Sequence, residues 1–169
     1  LSLWSGDDNA FYDPADPVGL SSTARSFIAG LLTHAGEVTA VTNQLVNSYK
    51  RLVAGFEAPV HISWARNNRS ALVRVPVPKK GKEDQGTRLE YRALDPSCNP
   101  YLAFSVLLAA GMTGVQRGYE APEETTVNLF EDFEQRRPED GSMLPSNLSE
   151  ALDRMEASEL VHDTLGQHI

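Results

Sequence analysis

The sequence predicts an α+β fold, an antiparallel sheet flanked by helices, and three observations carry that expectation. Apolar residues at Phe27, Ile28, Leu31, Leu32 and Ala35 recur at helical spacing. The runs "SALVRVPV" and "TRLEYR" are β-branched or alternating, and the polar stretch "PKKGKEDQG" joins them as it would a hairpin. The run Tyr101 to Val115 is apolar nearly all round and follows Asn99-Pro100, a cap and a first-turn proline.

In chain order, Gly, Pro and Asp scattered through residues 6 to 20 predict loop and turn. Ser21 or Ser22 is placed to cap the first helix. Ala35, Val38 and Val41 continue the pattern as a second helix. A third helix is expected from about Gln44 to Val53, ended by Gly55 and Pro59. "VHISWA" reads as a further strand. The run from Tyr101 is too short to span a bilayer and reads as a buried helix. The acidic stretch Glu131 to Asp140 reads as a solvated loop. One or two amphipathic helices finish the chain, with Ser149 as candidate cap.

The 169 residues suffice for one domain with a core, and no internal repeat is present. A net charge of -8 argues against nucleic acid or an anionic membrane as partner. Cys98 is the sole cysteine, so no intrachain disulfide forms, and it reads as a small core residue. His34, His61, His162 and His168 show no metal-ligand spacing, and His34 reads as a packed or surface side chain. With no signal peptide and no membrane-length apolar run, a cytoplasmic setting is expected. The chain opens on "LSLWSGDDNAF" and closes mid-pattern on "LVHDTLGQHI", which predicts an excerpt of a longer polypeptide.

"TRLEYR" places Arg88, Glu90 and Arg92 on alternate residues, so a strand would present all three on one face. Taken alone, that is a solvated face stitched by cross-strand pairs. Arg74 inside the neighbouring apolar run and Arg69 at its entrance add cationic charge. Lys50, Arg51 and Glu57 lie upstream. Arginine's planar fork suits carboxylate and phosphate, and a carboxylate among arginines either neutralises them or holds a divalent cation. The residues therefore leave two readings open: a surface ion-pair ladder, or a site for phosphate and carboxylate ligands with a metal.

Five segments, "LSLW", "NSYKRLVAGFEAP", "NRSALVRVP", "TRLEYRALDPSCNPYLAF" and "LLAAGMTGV", together resemble the glutamine synthetase family, in order and spacing and over nearly the whole chain. The likeness is closest to the bacterial type I enzymes. It implies the carboxy-terminal portion of the catalytic domain, with the amino-terminal domain and upstream catalytic strands outside these 169 residues. It also implies an ATP-dependent glutamate–ammonia ligase acting through γ-glutamyl phosphate, with Mg2+ or Mn2+, and a homo-oligomer of stacked rings.

Carried over by position, Glu90 matches a metal-binding glutamate. Arg51, Arg69 and Arg92 match arginines contacting glutamate or the transferring phosphoryl group. Arg69, Arg74, Arg88 and Ser2 match the nucleotide's surroundings. Glu57 matches the loop glutamate that takes a proton from ammonium and closes the glutamate entrance. The "DPSCNPY" turn looks structural.

Departures from the family pattern are also visible. Its metal and nucleotide histidines precede "LSLW", so this segment alone is expected to be inactive. Phe130 stands at the adenylylated tyrosine, which argues against that regulation. Ala54 replaces a proline, and Gln85 replaces a lysine for which Lys82 is a substitute. Two competing expectations remain: a relative joining glutamate to a polyamine or other amine, and a non-catalytic homologue. The second predicts an eroded charged constellation, which is not seen.

Overall fold

The computed structural model describes residues 1–53, 58–126 and 142–166. Ala54, Glu57, Phe130, the stretch Glu131 to Asp140 and His168 lie outside the described residues.

Two crossing helices organise the core. Helix α1 (Ser22–Thr33) buries Phe27, Ile28 and Leu31. It is capped by Ser21, whose Oγ accepts from the Ala24 N–H at 3.1 Å. Helix α2 (Ala35–Thr42) follows after His34. Helix α4 (Pro100–Arg117) starts on Asn99, whose Oδ1 accepts from the Tyr101 and Leu102 N–H groups at 3.0 and 3.4 Å. Helices α1 and α4 approach at backbone distance: a Cβ on Gly30 would lie 2.2 Å from the Ala110 carbonyl oxygen, and one on Gly114 would lie 2.2 Å from that of Ser26. Glycine is what permits this crossing.

Strands β1 (Trp4–Ser5) and β2 (Asp8–Asn9) form a small antiparallel pair, so the expected loop over residues 6 to 20 contains one short strand. A three-stranded sheet runs in the order β3 (Trp64–Ala65), β4 (Val73–Arg74), β5 (Glu90–Tyr91). The β4–β5 pair is antiparallel as expected, with Arg74 opposite Glu90. Strand β3 instead joins β4 in parallel, making the sheet mixed. Each strand pairs over only two residues, so residues 66–72 need to carry the chain back only about 7 Å, within reach of a loop that no full crossover would fit. Of "VHISWA", only Trp64 and Ala65 enter this sheet, while His61 bridges Met143. The polar β4–β5 link folds into a single helical turn, α3 (Glu83–Gly86).

Three further expectations are corrected. The helix expected over Gln44 to Val53 is a 3-10 turn, Val46–Lys50. There the Ser48 hydroxyl accepts from the Leu45 N–H at 3.3 Å, the local competition by which serine interrupts α-helices. Helix α4 is not buried all round: Ala103, Val106, Leu107 and Ala110 face inward, but Tyr101, Leu102, Phe104 and Leu108 are exposed. Helix α5 (Leu148–Glu156) is capped by Asn147, whose Oδ1 accepts from the Glu150 N–H at 3.0 Å, and Ser149 sits inside its first turn. Helix α6 (Glu159–Leu165) follows, capped by Ser158. Among the described residues no helix is long and apolar enough to cross a membrane.

Candidate functional site

Strand β5 and its flanks obey the period of two. Thr87, Leu89, Tyr91 and Ala93 are buried, while Arg88, Glu90 and Arg92 point the other way. The register of β4 then decides what meets what. Arg74 lies directly across from Glu90, and its Nη1 donates to Glu90 Oε2 at 3.0 Å. Arg88 Nη2 approaches Glu90 Oε1 at 3.8 Å. One carboxylate thus sits between two guanidinium groups. Arg92 extends the cationic row. Burial is the main reason its guanidinium is held below its ordinary value, followed by the positive charge of Arg74, with Glu90 opposing and Arg69 adding to the effect. Arg92 therefore lies within reach of the positive charges of both Arg74 and Arg69, an arrangement that favours an anion nearby.

Ser2 is exposed beside this strand, because the Leu89 N–H donates to the Leu1 carbonyl at 2.8 Å. A cavity of about 690 Å³ opens at the same end, lined by Trp4, Asp8, Tyr12, Asp84 and Gln85 among others. Gln85 is part of that wall and Lys82, exposed at the start of α3, is not. Arg51 is brought to the opposite end of β5. Its Nη2 donates to the carbonyls of Ala93 and Leu94, at 2.6 Å each. The structure thus gathers Arg74, Arg88, Glu90 and Arg92 on one face, with Ser2 and Arg51 at its two ends and the charge of Arg69, in the loop before β4, felt at Arg92. Glu57 lies outside the described residues.

The divalent cation implied by the resemblance finds only part of a site. Among the described residues no three His, Cys, Asp or Glu side chains cluster as metal ligands. Glu90 is a single carboxylate, engaged by Arg74 and Arg88. These residues supply one oxygen ligand and do not make a metal centre by themselves.

The remaining singletons are structural. His34 Nδ1 lies 3.1 Å from Glu37 Oε1, and its ring stacks on Tyr119 at 6.2 Å between centroids. Cys98 is half-buried rather than a core residue, and burial, reinforced by the charge of Asp95, raises its thiol pKa. Trp4 and Tyr12 stand beside and within a stretch whose composition predicts only loop and turn, and nothing in their spacing shows that they share a cavity with residues near position 85.

The family model for the glutamine synthetase catalytic domain matches residues 1–169. The chain is 51% identical over 169 residues to glutamine synthetase of Methanococcus maripaludis, covering 99% of this chain and 37% of that protein. It is 50% identical to the Thermotoga maritima enzyme and 52% identical to the Mycolicibacterium smegmatis enzyme, each over 170 residues, covering 100% of this chain and 38% of that protein. The chain therefore spans little more than a third of these curated relatives. Among solved structures it matches apo GmaS with a TM-score of 0.83 and a GmaS complex with ADP with a TM-score of 0.81. Both are 35% identical and cover 98% of this chain and 36% and 37% of theirs. The arginine-rich face on β4 and β5 thus belongs to a chain of the glutamine synthetase family, in its catalytic domain.

Proposed function

We propose that the full-length protein ligates ammonia to the side-chain carboxylate of glutamate at the expense of ATP, through γ-glutamyl phosphate. The observation that carries this reading is the grouping of Arg74, Arg88 and Arg92 with the Glu90 carboxylate on one sheet face. Phosphoryl transfer asks the protein mainly to position its reactants and to stabilise charge on the transferring oxygens. Fixed guanidinium groups serve both ends. Arg74 and Arg88, with Ser2, face the nucleotide phosphates, while Arg51, Arg69 and Arg92 hold glutamate and the transferring group. The glutamate carboxylate attacks the γ-phosphate, ADP leaves, and ammonia then displaces phosphate from the acyl carbon. Ammonium is not a nucleophile, so Glu57 is assigned the removal of its proton.

A divalent cation, with Glu90 supplying one of its ligands, would add charge neutralisation at the phosphates. The GmaS complex with ADP supports a nucleotide on this fold. A homo-oligomer and a cytoplasmic location complete the proposal. The relatives named glutamine synthetase, at 50–52% identity, favour ammonia as the amine.

The test is glutamate-dependent phosphate release from ATP by full-length protein, with ammonium and with a panel of amines. Release with ammonium is expected; release only with a larger amine would refute the ammonia reading. Glu90→Ala is expected to lower turnover by about 10²-fold or more and to weaken its dependence on divalent cation, with an unchanged circular dichroism spectrum. Retained turnover would remove Glu90 from the site.

A further inference from the structure

Two segments far apart in sequence are stapled together at the end of β5. Arg51 Nη2 donates to the carbonyls of Ala93 and Leu94, at 2.6 Å each. Three residues upstream of Arg51, Ser48 O accepts from the Arg51 N–H at 3.1 Å, closing the 3-10 turn. Gln44 Nε2 donates to Ser97 O at 2.8 Å, and the Asp95 N–H donates to Thr42 O at 3.0 Å. Residues 42–51 are thereby held against residues 93–97.

Asp95 sits at the centre of this staple. Its Oδ1 accepts from the Ser97 N–H and hydroxyl at 2.8 and 2.7 Å, an Asx turn that fixes the carboxylate. Hydrogen bonding from the Ser48 hydroxyl, then from Ser97, with attraction from Arg51, holds that carboxylate below its ordinary range. Arg51 commits its Nη2 to the two backbone carbonyls that immediately precede Asp95. Its Nε is buried and has no partner among the described residues.

We propose that Asp95 is a positioning residue for Arg51, clamping the 42–51 segment to the end of β5 so that the Arg51 guanidinium is held on the carbonyls of Ala93 and Leu94. This rests on the ligase reading above, in which Arg51 meets glutamate. Asp95 does not touch substrate; it acts through Arg51. An arginine released from the clamp would sample several rotamers and bind a carboxylate less well, without disturbing the phosphoryl-transfer groups on β4.

The test uses full-length protein. Asp95→Asn keeps an oxygen for the Ser97 turn and removes the charge, while Asp95→Ala removes both. Asp95→Asn is expected to raise the glutamate KM about fivefold, with kcat and the ATP KM within about twofold of wild type. Combined with Arg51→Lys, it is expected to add less than about twofold, because both act through one contact. Equal losses for every substrate, or full additivity with Arg51→Lys, would overturn the proposal. Hydrogen exchange provides a readout independent of activity. Amides of residues 45–51 are expected to exchange faster in Asp95→Asn while those of α1 and α4 do not change; unchanged exchange there would overturn the clamp. Wild-type protein without glutamate-dependent phosphate release would instead refute the ligase reading, and the exchange data would still decide the clamp.

Discussion

Glu90 and Glu37 show how one carboxylate is given different work by its neighbours. Glu90 is flanked by Arg74 and Arg88 on a partly exposed sheet face. Glu37 lies between helices, beside His34 Nδ1 on one oxygen and the Ser158 hydroxyl on the other. Hydrogen bonding from His34 is the main cause that lowers its pKa from 4.5; burial opposes this and Ser158 adds to it. A depressed carboxylate contributes stability that is present above its unfolded value and is lost as pH falls through the folded one. Glu37→Gln is therefore expected to lower the urea midpoint at neutral pH, with the gap from wild type closing below pH 4.5. Urea titrations of the two proteins across that range check this, and a gap independent of pH would show that Glu37 acts through shape alone.

At the scale of elements, the caps and the helix crossing were unequally legible. Ser21 and Asn99 cap where a small polar residue precedes an apolar helical pattern, and the pattern names them directly. Asn147 was missed in favour of Ser149 because "SNLSE" offers several acceptable caps, and only the backbone path chooses among them. The close approach of α1 and α4 leaves no local trace beyond glycines at 30, 111 and 114, which in isolation read as weak helix formers. Their use appears only when the two helices meet. Gly114→Ala would press a methyl group onto the Ser26 carbonyl. A cost of about 3 kcal/mol is expected, lowering Tm by roughly 6–12 °C in calorimetry. A wild-type Tm would mean that the helices can separate without loss.

For the molecule as a whole, the distribution of charge matters more than its sum. A chain of net charge -8 concentrates Arg74, Arg88 and Arg92 on one face of one small sheet, with Arg69 close enough to act on Arg92. Attraction of anions to partly exposed arginines is screened as salt rises, with a Debye length of about 10 Å at 0.1 M and about 3 Å at 1 M. The ATP KM of full-length protein is thus expected to increase several-fold between low and high ionic strength. Arg88→Gln should flatten that slope, because Arg88 is the most exposed of the β5 charges. Steady-state kinetics across a salt series measures both, and a salt-independent KM would exclude this face as the nucleotide's electrostatic anchor.

By itself the sequence determined the α+β class, the β4–β5 hairpin, the main helices and the shared face of Arg88, Glu90 and Arg92. Each follows from a short-range period, two in a strand and 3.6 in a helix, which a one-dimensional string preserves. Tertiary structure decided the rest. The parallel entry of β3, the Arg74–Glu90 pairing, the exposed face of α4 and the clamp of Arg51 on Ala93 and Leu94 all depend on contacts between residues distant in the chain. Such contacts are selected by burial and register, and no local period encodes them.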